Sequence, residues 1–140
     1  MAMGATAARL IRLAAILGIP VILTEQNPRG LGSTVPLIRE ALPVYEPIAK
    51  MVFNCCAADA FVARLAGLGR HTLVLTGIET HICVLQTVLD LLNQRYRVLL
   101  VRDATSSHAL IDRETARWRM RSAGAIMVTA EAVIDELTER

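Results

Sequence analysis

Short runs of consecutive apolar residues alternate along the chain with longer stretches in which apolar residues recur every three or four positions. The short runs predict buried strands at residues 20–25, 71–78, 96–104 and 125–129. The longer stretches predict helices at residues 5–17, 57–69, 81–95, 111–124 and 130–140. Between the first strand and the second helix, the segment QNPRGLGSTVP is rich in proline and glycine, and it predicts a loop.

This alternation of strands and helices determines the fold class that we expect. Strands that are apolar throughout are buried on both faces, and helices between them supply the cover. We therefore predict an α/β fold, a parallel sheet with helices on both faces in a Rossmann-like three-layer arrangement. A chain of 140 residues fits one domain, residues 1–140. In such sheets ligands bind at the carboxyl ends of the strands.

Composition and charge indicate which partners and which cellular compartment to expect. The chain is 54% hydrophobic and 20% charged, which is typical of a protein with extensive buried surface. Its net charge of +2 and its scattered arginines predict no nucleic-acid partner. Arg9, Arg12 and Gly18 interrupt the apolar N-terminal stretch, so we expect no membrane span. Three cysteines, of which Cys55 and Cys56 are adjacent, form no disulfide framework and suggest a reducing cytoplasm.

Cys83 lies in the segment LTGIETHICVLQT, where a predicted strand passes through a turn into a predicted helix. Free backbone N–H groups and the helix dipole favour an anion there, including a cysteine thiolate. The same N–H groups can bind the oxyanion that forms when sulfur attacks a carbonyl. The structural alternative is a buried cysteine that packs as a small hydrophobe. Both interpretations of Cys83, nucleophile and core residue, are open from its position alone.

Lys50 is the only lysine among the 15 lysine and arginine residues of the chain. It stands in the apolar segment VYEPIAKMVFNC, which we expect to place it at the end of a strand. Unlike arginine, a partly buried lysine can lose its proton and transfer it between groups. An ordinary surface lysine is the structural alternative.

Two further groups of side chains invite a chemical interpretation, and neither has the right spacing. His81, Cys83 and His108 do not follow a recognised pattern of metal ligands. Asp103, Ser106 and His108 are close neighbours in sequence, whereas the members of a serine triad usually come from distant positions. We therefore expect neither a metal site nor a serine nucleophile.

Four motifs taken together resemble the isochorismatase-like cysteine hydrolases, in particular the subgroup of isochorismatase-domain hydrolases. These motifs are LTEQNPRGLGSTVP, AKMVFNCC, LTGIETHICVLQTVLDLL and VRDATSSH. The resemblance extends over nearly the whole chain, from Arg9 to Leu137, and GIETHICVLQT is its most specific part.

The resemblance implies which residues carry the chemistry. Cys83 occupies the position of the family's nucleophile, and Lys50 occupies the position of its lysine. Ile78 and Glu79 fall where the family has a cis peptide bond that shapes its oxyanion hole, and Thr80 follows them. By resemblance we assign these three residues to oxyanion and substrate binding.

The resemblance also implies a function. We expect a hydrolase that acts on an amide-type or related C–N or C–O bond of a small molecule, with neither metal nor cofactor. The loop at residues 25–34 is expected to line the pocket, with Gln26 facing inward. We also expect the protein to be cytoplasmic and to form a homo-oligomer.

One family feature has no counterpart in the sequence. The family carries a catalytic aspartate at the end of a strand upstream of its first helix, whereas the first aspartate here is Asp59. A shortened N-terminus, a neighbouring subunit that fills the gap and a rearranged domain are all compatible with this. Glu25 is the nearest substitute by location. Loss of one member of a catalytic triad predicts weak activity, and the alternative is an inactive family member that serves as an oligomeric binding or structural protein.

Overall fold

The computed structural model describes residues 2–139, and strands alternate with helices along this part of the chain. The strands are β1 (Thr24–Gln26), β2 (Ile48–Lys50), β3 (Thr72–Ile78), β4 (Arg97–Ser106) and β5 (Ile126–Val128). The helices are α1 (Ala2–Leu17), α2 (Pro28–Leu31), α3 (Pro36–Ala41), α4 (Asp59–Leu68), α5 (Leu85–Asn93), α6 (Leu110–Ala123) and α7 (Ala130–Thr138). A 3-10 turn at Cys55–Ala57 precedes α4, and a π-helical turn at Thr80–Val84 leads into α5.

All strand pairs in this region are parallel, which confirms the predicted α/β class. The strands form two sheets where we expected one. β1 pairs with β2, and β4 lies between β3 and β5 in a separate three-stranded sheet. β3 is therefore an edge strand. Its outward face is not covered as predicted, since Val74 is 46% and Ile78 is 57% exposed.

The core lies on both faces of β4. On one face Val98 and Leu100 of β4 pack with the fully buried Val88 and Leu91 of α5 and Met120 of α6. Burying one such aliphatic side chain stabilises the fold by about 1.5–3 kcal/mol. These contacts hold α5, and with it the turn that carries Cys83, against the sheet.

The other face of β4 packs against the first and last helices. Val101 and Ala104 form a second cluster with Ala7 of α1 and Ala130 of α7. Small side chains let these helices approach the sheet closely. Helices on both faces of β4 give the predicted three-layer arrangement.

The segment at residues 26–36, predicted to be a loop, contains the short helix α2, and α3 begins at its last residue. Pro28 and Pro36 begin α2 and α3. Proline favours the first helical position because its φ angle suits the helix and its missing N–H would be unpaired there. The segment is thus more regular than its proline and glycine content predicts.

Glycine ends α4 and α6. Gly69 and Gly124 follow these helices in the left-handed conformation, which glycine adopts without a steric penalty. Among the helices of residues 2–139, none is long and apolar enough to cross a membrane.

Candidate active site

The predicted site residues come from the carboxyl ends of three strands. β1 ends at Gln26, β2 ends at Lys50 and β3 ends at Ile78, so the expected position of Lys50 at the end of a strand is confirmed. The parallel register aligns Gln26 with Lys50, and their side chains are in contact. The turn that carries Cys83 follows β3. Within the described part of the chain, no hydrogen bond joins Lys50 to Cys83.

Lys50 is buried, with 5% of its surface exposed. Its Nζ donates to the side-chain oxygen of Gln26 at 2.6 Å and to the carbonyl oxygens of Val52 and Phe53, each at 2.9 Å. These three acceptors match the three donors of an ammonium group. None of them is charged, and no ion pair of Lys50 exists among residues 2–139. A buried cation surrounded by neutral acceptors is a favourable place for an approaching anion.

Gln26 thus makes a contact that its expected role did not include. Its side-chain oxygen holds the Lys50 ammonium, so Gln26 fixes the position of the only lysine of the chain. Gln26 therefore supports Lys50, and its role in substrate binding stays a prediction.

Cys83 is a free, half-buried cysteine in the π-helical turn Thr80–Val84. We predicted the first turn of an α-helix at this position. The turn is wider because the carbonyl of Glu79 accepts hydrogen bonds from the N–H groups of both Ile82, at 3.1 Å, and Val84, at 3.2 Å. The thiol is therefore neither sealed in the core nor fully exposed.

The residues before Cys83 have two unusual features. The peptide bond between Ile78 and Glu79 is cis, as the family resemblance implied. Thr80 is completely buried, and its hydroxyl has no hydrogen-bond partner within the described residues. A buried hydroxyl in a protein nearly always has a partner. The Thr80 hydroxyl is an exception to this rule.

Glu25 does not occupy the place of a substitute base. Its carboxylate accepts hydrogen bonds from the backbone N–H of Thr34 at 2.8 Å, from the Thr34 hydroxyl at 2.6 Å and from the Tyr45 hydroxyl. Burial by itself raises the pKa of Glu25, but the bonds from Thr34 and Tyr45 and the charge of Arg39 outweigh it and lower this pKa. Glu25 is a structural anchor that ties the segment around Thr34 to β1, which sequence analysis did not foresee.

We expect Glu25→Gln to lower the free energy of unfolding at pH 7 by about 1–3 kcal/mol, because hydrogen bonds to a charged acceptor are lost. The pKa of Glu25 is lower in the folded chain than its ordinary value of 4.5. Its stabilising effect is therefore present above that value and disappears as the pH falls through the folded pKa. Urea unfolding at several pH values should show the wild-type and variant proteins converging in acid. A constant difference between them would contradict this.

Cys55 and Cys56 lie in the 3-10 turn before α4, which contacts α5, the helix after the Cys83 turn. The backbone N–H of Cys55 donates to the Thr87 hydroxyl at 2.9 Å, and the side chain of Asn54 donates to Asp90 at 2.9 Å. Burial, with the negative charge of Asp90 nearby, raises the pKa of Cys56 to about 11. Cys56 is thus held in its neutral form, as a packing residue would be.

Asp103 has a structural role. Its carboxylate accepts a hydrogen bond of 2.9 Å from the backbone N–H of Ala130, the first residue of α7. An acidic side chain at a helix N-terminus pairs an otherwise unpaired donor and favours the dipole. Asp103 therefore anchors the last helix to β4.

Two surface depressions of the chain lie away from these residues. One is lined by Ile19, Pro20 and Leu23, which precede β1, together with Arg64. The other is lined by residues at 69–71 and 94–96, which precede β3 and β4. Both lie near the amino ends of strands, whereas Lys50 and Cys83 lie at the carboxyl ends.

Parallel strands between helices, with a half-buried cysteine and a buried lysine after the strands, define an α/β protein with a candidate cysteine site. Residues 2–132 match the isochorismatase domain family. The chain belongs to the isochorismatase family.

Three known proteins show how far the similarity extends. Isochorismatase domain-containing protein 1 of Salmo salar is 42% identical over 130 residues, which cover 92% of this chain and 45% of that protein. The chain therefore spans less than half the length of this relative.

Two solved structures share the fold. The MAR1 ribonuclease of Caenorhabditis elegans is 43% identical with a TM-score of 0.92, over 99% of this chain and 71% of that one. The YcaC gene product of Escherichia coli, an octameric hydrolase of unknown specificity, is 28% identical with a TM-score of 0.93, over 99% and 69%. The fold and the family are thus established together.

Proposed function

We propose that this protein is a cysteine hydrolase that uses the Cys83 thiolate to cleave an amide-type or related C–N or C–O bond of a small molecule. Membership of the isochorismatase family supports a hydrolase in general. The observation that carries the finer proposal is the buried Lys50 ammonium, whose three partners are all neutral. A buried positive charge of this kind stabilises an anion that forms nearby, as thiol chemistry requires.

The proposed reaction has two stages. The Cys83 sulfur forms a bond to the carbonyl carbon, and the electron pair of the C=O bond moves to oxygen. When this oxyanion collapses, the C–N bond breaks and the amine leaves with the proton that came from the thiol. Water then attacks the thioester, releases the carboxylic acid and returns the proton to sulfur. The backbone N–H of Cys83 is the proposed donor to the oxyanion, since the N–H groups of His81, Ile82 and Val84 in the same turn are already engaged.

The proposed role of Lys50 is to favour negative charge on sulfur and oxygen. Its ammonium is held by Gln26, Val52 and Phe53, so it needs little reorganisation as charge develops. Glu25 is engaged by Thr34 and Tyr45, so we propose no carboxylate of the described residues as the base. We therefore expect slow turnover.

Alkylation of the folded protein by iodoacetamide tests this proposal at the thiol itself. Across about pH 5–9 we expect Cys83 to react much faster than Cys56, because the thiolate is the reactive form and Cys56, with a pKa of about 11, is held neutral. Peptide mass spectrometry reads each cysteine separately, with Cys55 as a second internal control. If Cys83 reacts no faster than Cys56 across this range, the proposed nucleophile is wrong.

A non-catalytic assembly role is the second candidate. Ile111 and Trp118 are seven positions apart on α6, so they share one helix face, and they are 76% and 68% exposed. Exposed large apolar side chains on one face are typical of protein contacts. The YcaC gene product is octameric, and by similarity we propose a homo-oligomer here. An unreactive Cys83 in a stable oligomer, measured by light scattering, would favour this candidate.

The proposed substrate is a small molecule and not a nucleic acid. The net charge is only +2, although one structural relative bears the name ribonuclease. Retention on heparin at moderate salt, or cleavage of RNA that Cys83→Ala abolishes, would contradict a small-molecule substrate.

A further inference from the structure

A compact group of polar side chains joins the Cys83 turn to the loop after β4. The imidazole Nδ1 of His81 lies 2.8 Å from the hydroxyl oxygen of Ser107, and the backbone N–H of His81 donates to the same oxygen at 3.3 Å. His81 is in the Thr80–Val84 turn, whereas Ser107 follows the last residue of β4. Two contacts thus link the same pair of residues across two loops.

Glu79 adds a third contact between the two loops. Its carboxylate accepts a hydrogen bond of 2.8 Å from the backbone N–H of His108. The same oxygen lies 3.8 Å from His81 Nδ1, and a carboxylate oxygen of Asp112 lies 3.8 Å from His81 Nε2. We call His81, Glu79, Ser107 and His108 the polar clip.

The imidazole of His81 has polar neighbours at both of its nitrogens. Nδ1 makes a hydrogen bond with the Ser107 hydroxyl at 2.8 Å, and a carboxylate oxygen of Asp112 lies 3.8 Å from Nε2. The hydrogen bond to Ser107 restricts the orientation of the His81 ring.

The polar clip begins where the ladder between β3 and β4 stops. Ile78 and Ser106 form the last aligned pair of these strands. Beyond that pair, the clip is what connects the two loops through Glu79, His81, Ser107 and His108. Since Cys83 lies in the same π-helical turn as His81, the clip fixes the backbone that carries the thiol.

From this geometry we propose that Ser107 and His81 are positioning residues, which hold the Cys83 turn in the conformation that thiol chemistry needs. The inference rests on the proposed function and deepens it. Neither side chain touches a reacting atom in this scheme. Their effect passes through the backbone of residues 80–84.

Ser107→Ala tests the clip, and Ser106→Ala is its matched control. Both variants remove one hydroxyl at adjacent positions, but only the Ser107 hydroxyl contacts His81. We expect Ser107→Ala to slow the alkylation of Cys83 about three- to tenfold, the effect of one ordinary hydrogen bond. Ser106→Ala should leave the rate unchanged.

A second pair of variants separates positioning from simple stability. His81→Ala removes the ring, whereas His81→Asn retains a polar atom near the position of Nδ1 and should recover part of the Cys83 reactivity. His108→Ala is a further control, since its backbone N–H still donates to Glu79. A purely structural role would lower the melting temperature of Ser107→Ala and His81→Ala while the Cys83 rate, measured well below that temperature, stayed constant.

Hydrogen exchange makes the test independent of the proposed chemistry. In Ser107→Ala the amides of residues 80–84 should exchange faster than in Ser106→Ala. If amide exchange at residues 80–84 is unchanged in both variants, the polar clip does not hold this turn, whether or not Cys83 reacts. Unchanged Cys83 reactivity in Ser107→Ala, when wild-type Cys83 is reactive, would overturn its positioning role. If exchange responds but wild-type Cys83 is inert, the clip holds the turn and the proposed hydrolase function is the part that fails.

Discussion

Replacing Cys83 by alanine should lower the rate of amide hydrolysis by at least about a thousandfold. Removal of a catalytic nucleophile usually costs several orders of magnitude, and the remainder comes from binding and oxyanion stabilisation. Because Cys83 is half-buried and lies outside the fully buried core, the variant should fold normally. The loss would then be chemical and not structural.

The measurement is ammonia release from a panel of small aliphatic and aromatic primary amides. Cys55→Ala is the matched control, because it removes another half-buried thiol of the same chain at the turn before α4. Cys55→Ala should keep the wild-type rate, and brief incubation of wild-type protein with substrate should add the mass of an acyl group to Cys83. A Cys83→Ala variant that hydrolyses amides at the wild-type rate would rule out the proposed nucleophile.

The sequence allowed the fold and the placement of Lys50 to be predicted. Apolar runs separated by helical periodicity specify parallel strands between helices, and the core around β4 has this arrangement. Lys50 was recognisable because it is the only lysine and stands in an apolar segment, where it ends β2. These features are local in sequence, so periodicity and composition reveal them.

The remaining features depend on contacts between distant residues. Glu25 meets Thr34 and Tyr45 through the packing of a segment that the sequence predicted as a loop. His81 meets Ser107 only because β3 and β4 are neighbours in the sheet. The hydrophobic periodicity of a sequence does not show which loops lie next to each other in the folded chain.

The division into two sheets also lay beyond the sequence pattern. An apolar run indicates a buried strand, but it does not indicate which other strand pairs with it. Val74 and Ile78 are apolar and yet exposed, and within residues 2–139 β3 pairs only with β4.

Lys50→Met should reduce both stability and hydrolysis. The substitution leaves the side-chain oxygen of Gln26 and the carbonyls of Val52 and Phe53 without their donor, and each part-buried acceptor that stays unpaired is costly. Removing a buried charge offsets part of this cost, since its desolvation penalty disappears. We expect a net loss of about 1–3 kcal/mol in the free energy of unfolding.

The effect on chemistry should be larger than the effect on stability. A preorganised positive group that stabilises a developing anion is worth about a hundredfold or more in rate. Urea unfolding and ammonia release, measured on the same protein samples, separate the two effects. Lys50→Arg is the control for charge, because it keeps a cation whose planar shape does not fit three acceptors arranged around one nitrogen.

The comparison of these two variants decides what Lys50 does. If both are destabilised but only Lys50→Met loses hydrolysis, the charge is what matters for the reaction. If both lose hydrolysis and Cys83 still alkylates at the wild-type rate, Lys50 acts after the thiol, on the oxyanion. If the Lys50→Met variant is destabilised but hydrolyses amides at the wild-type rate, Lys50 only supports residues 52 and 53. The proposal that the Lys50 ammonium stabilises the developing anion would then be wrong.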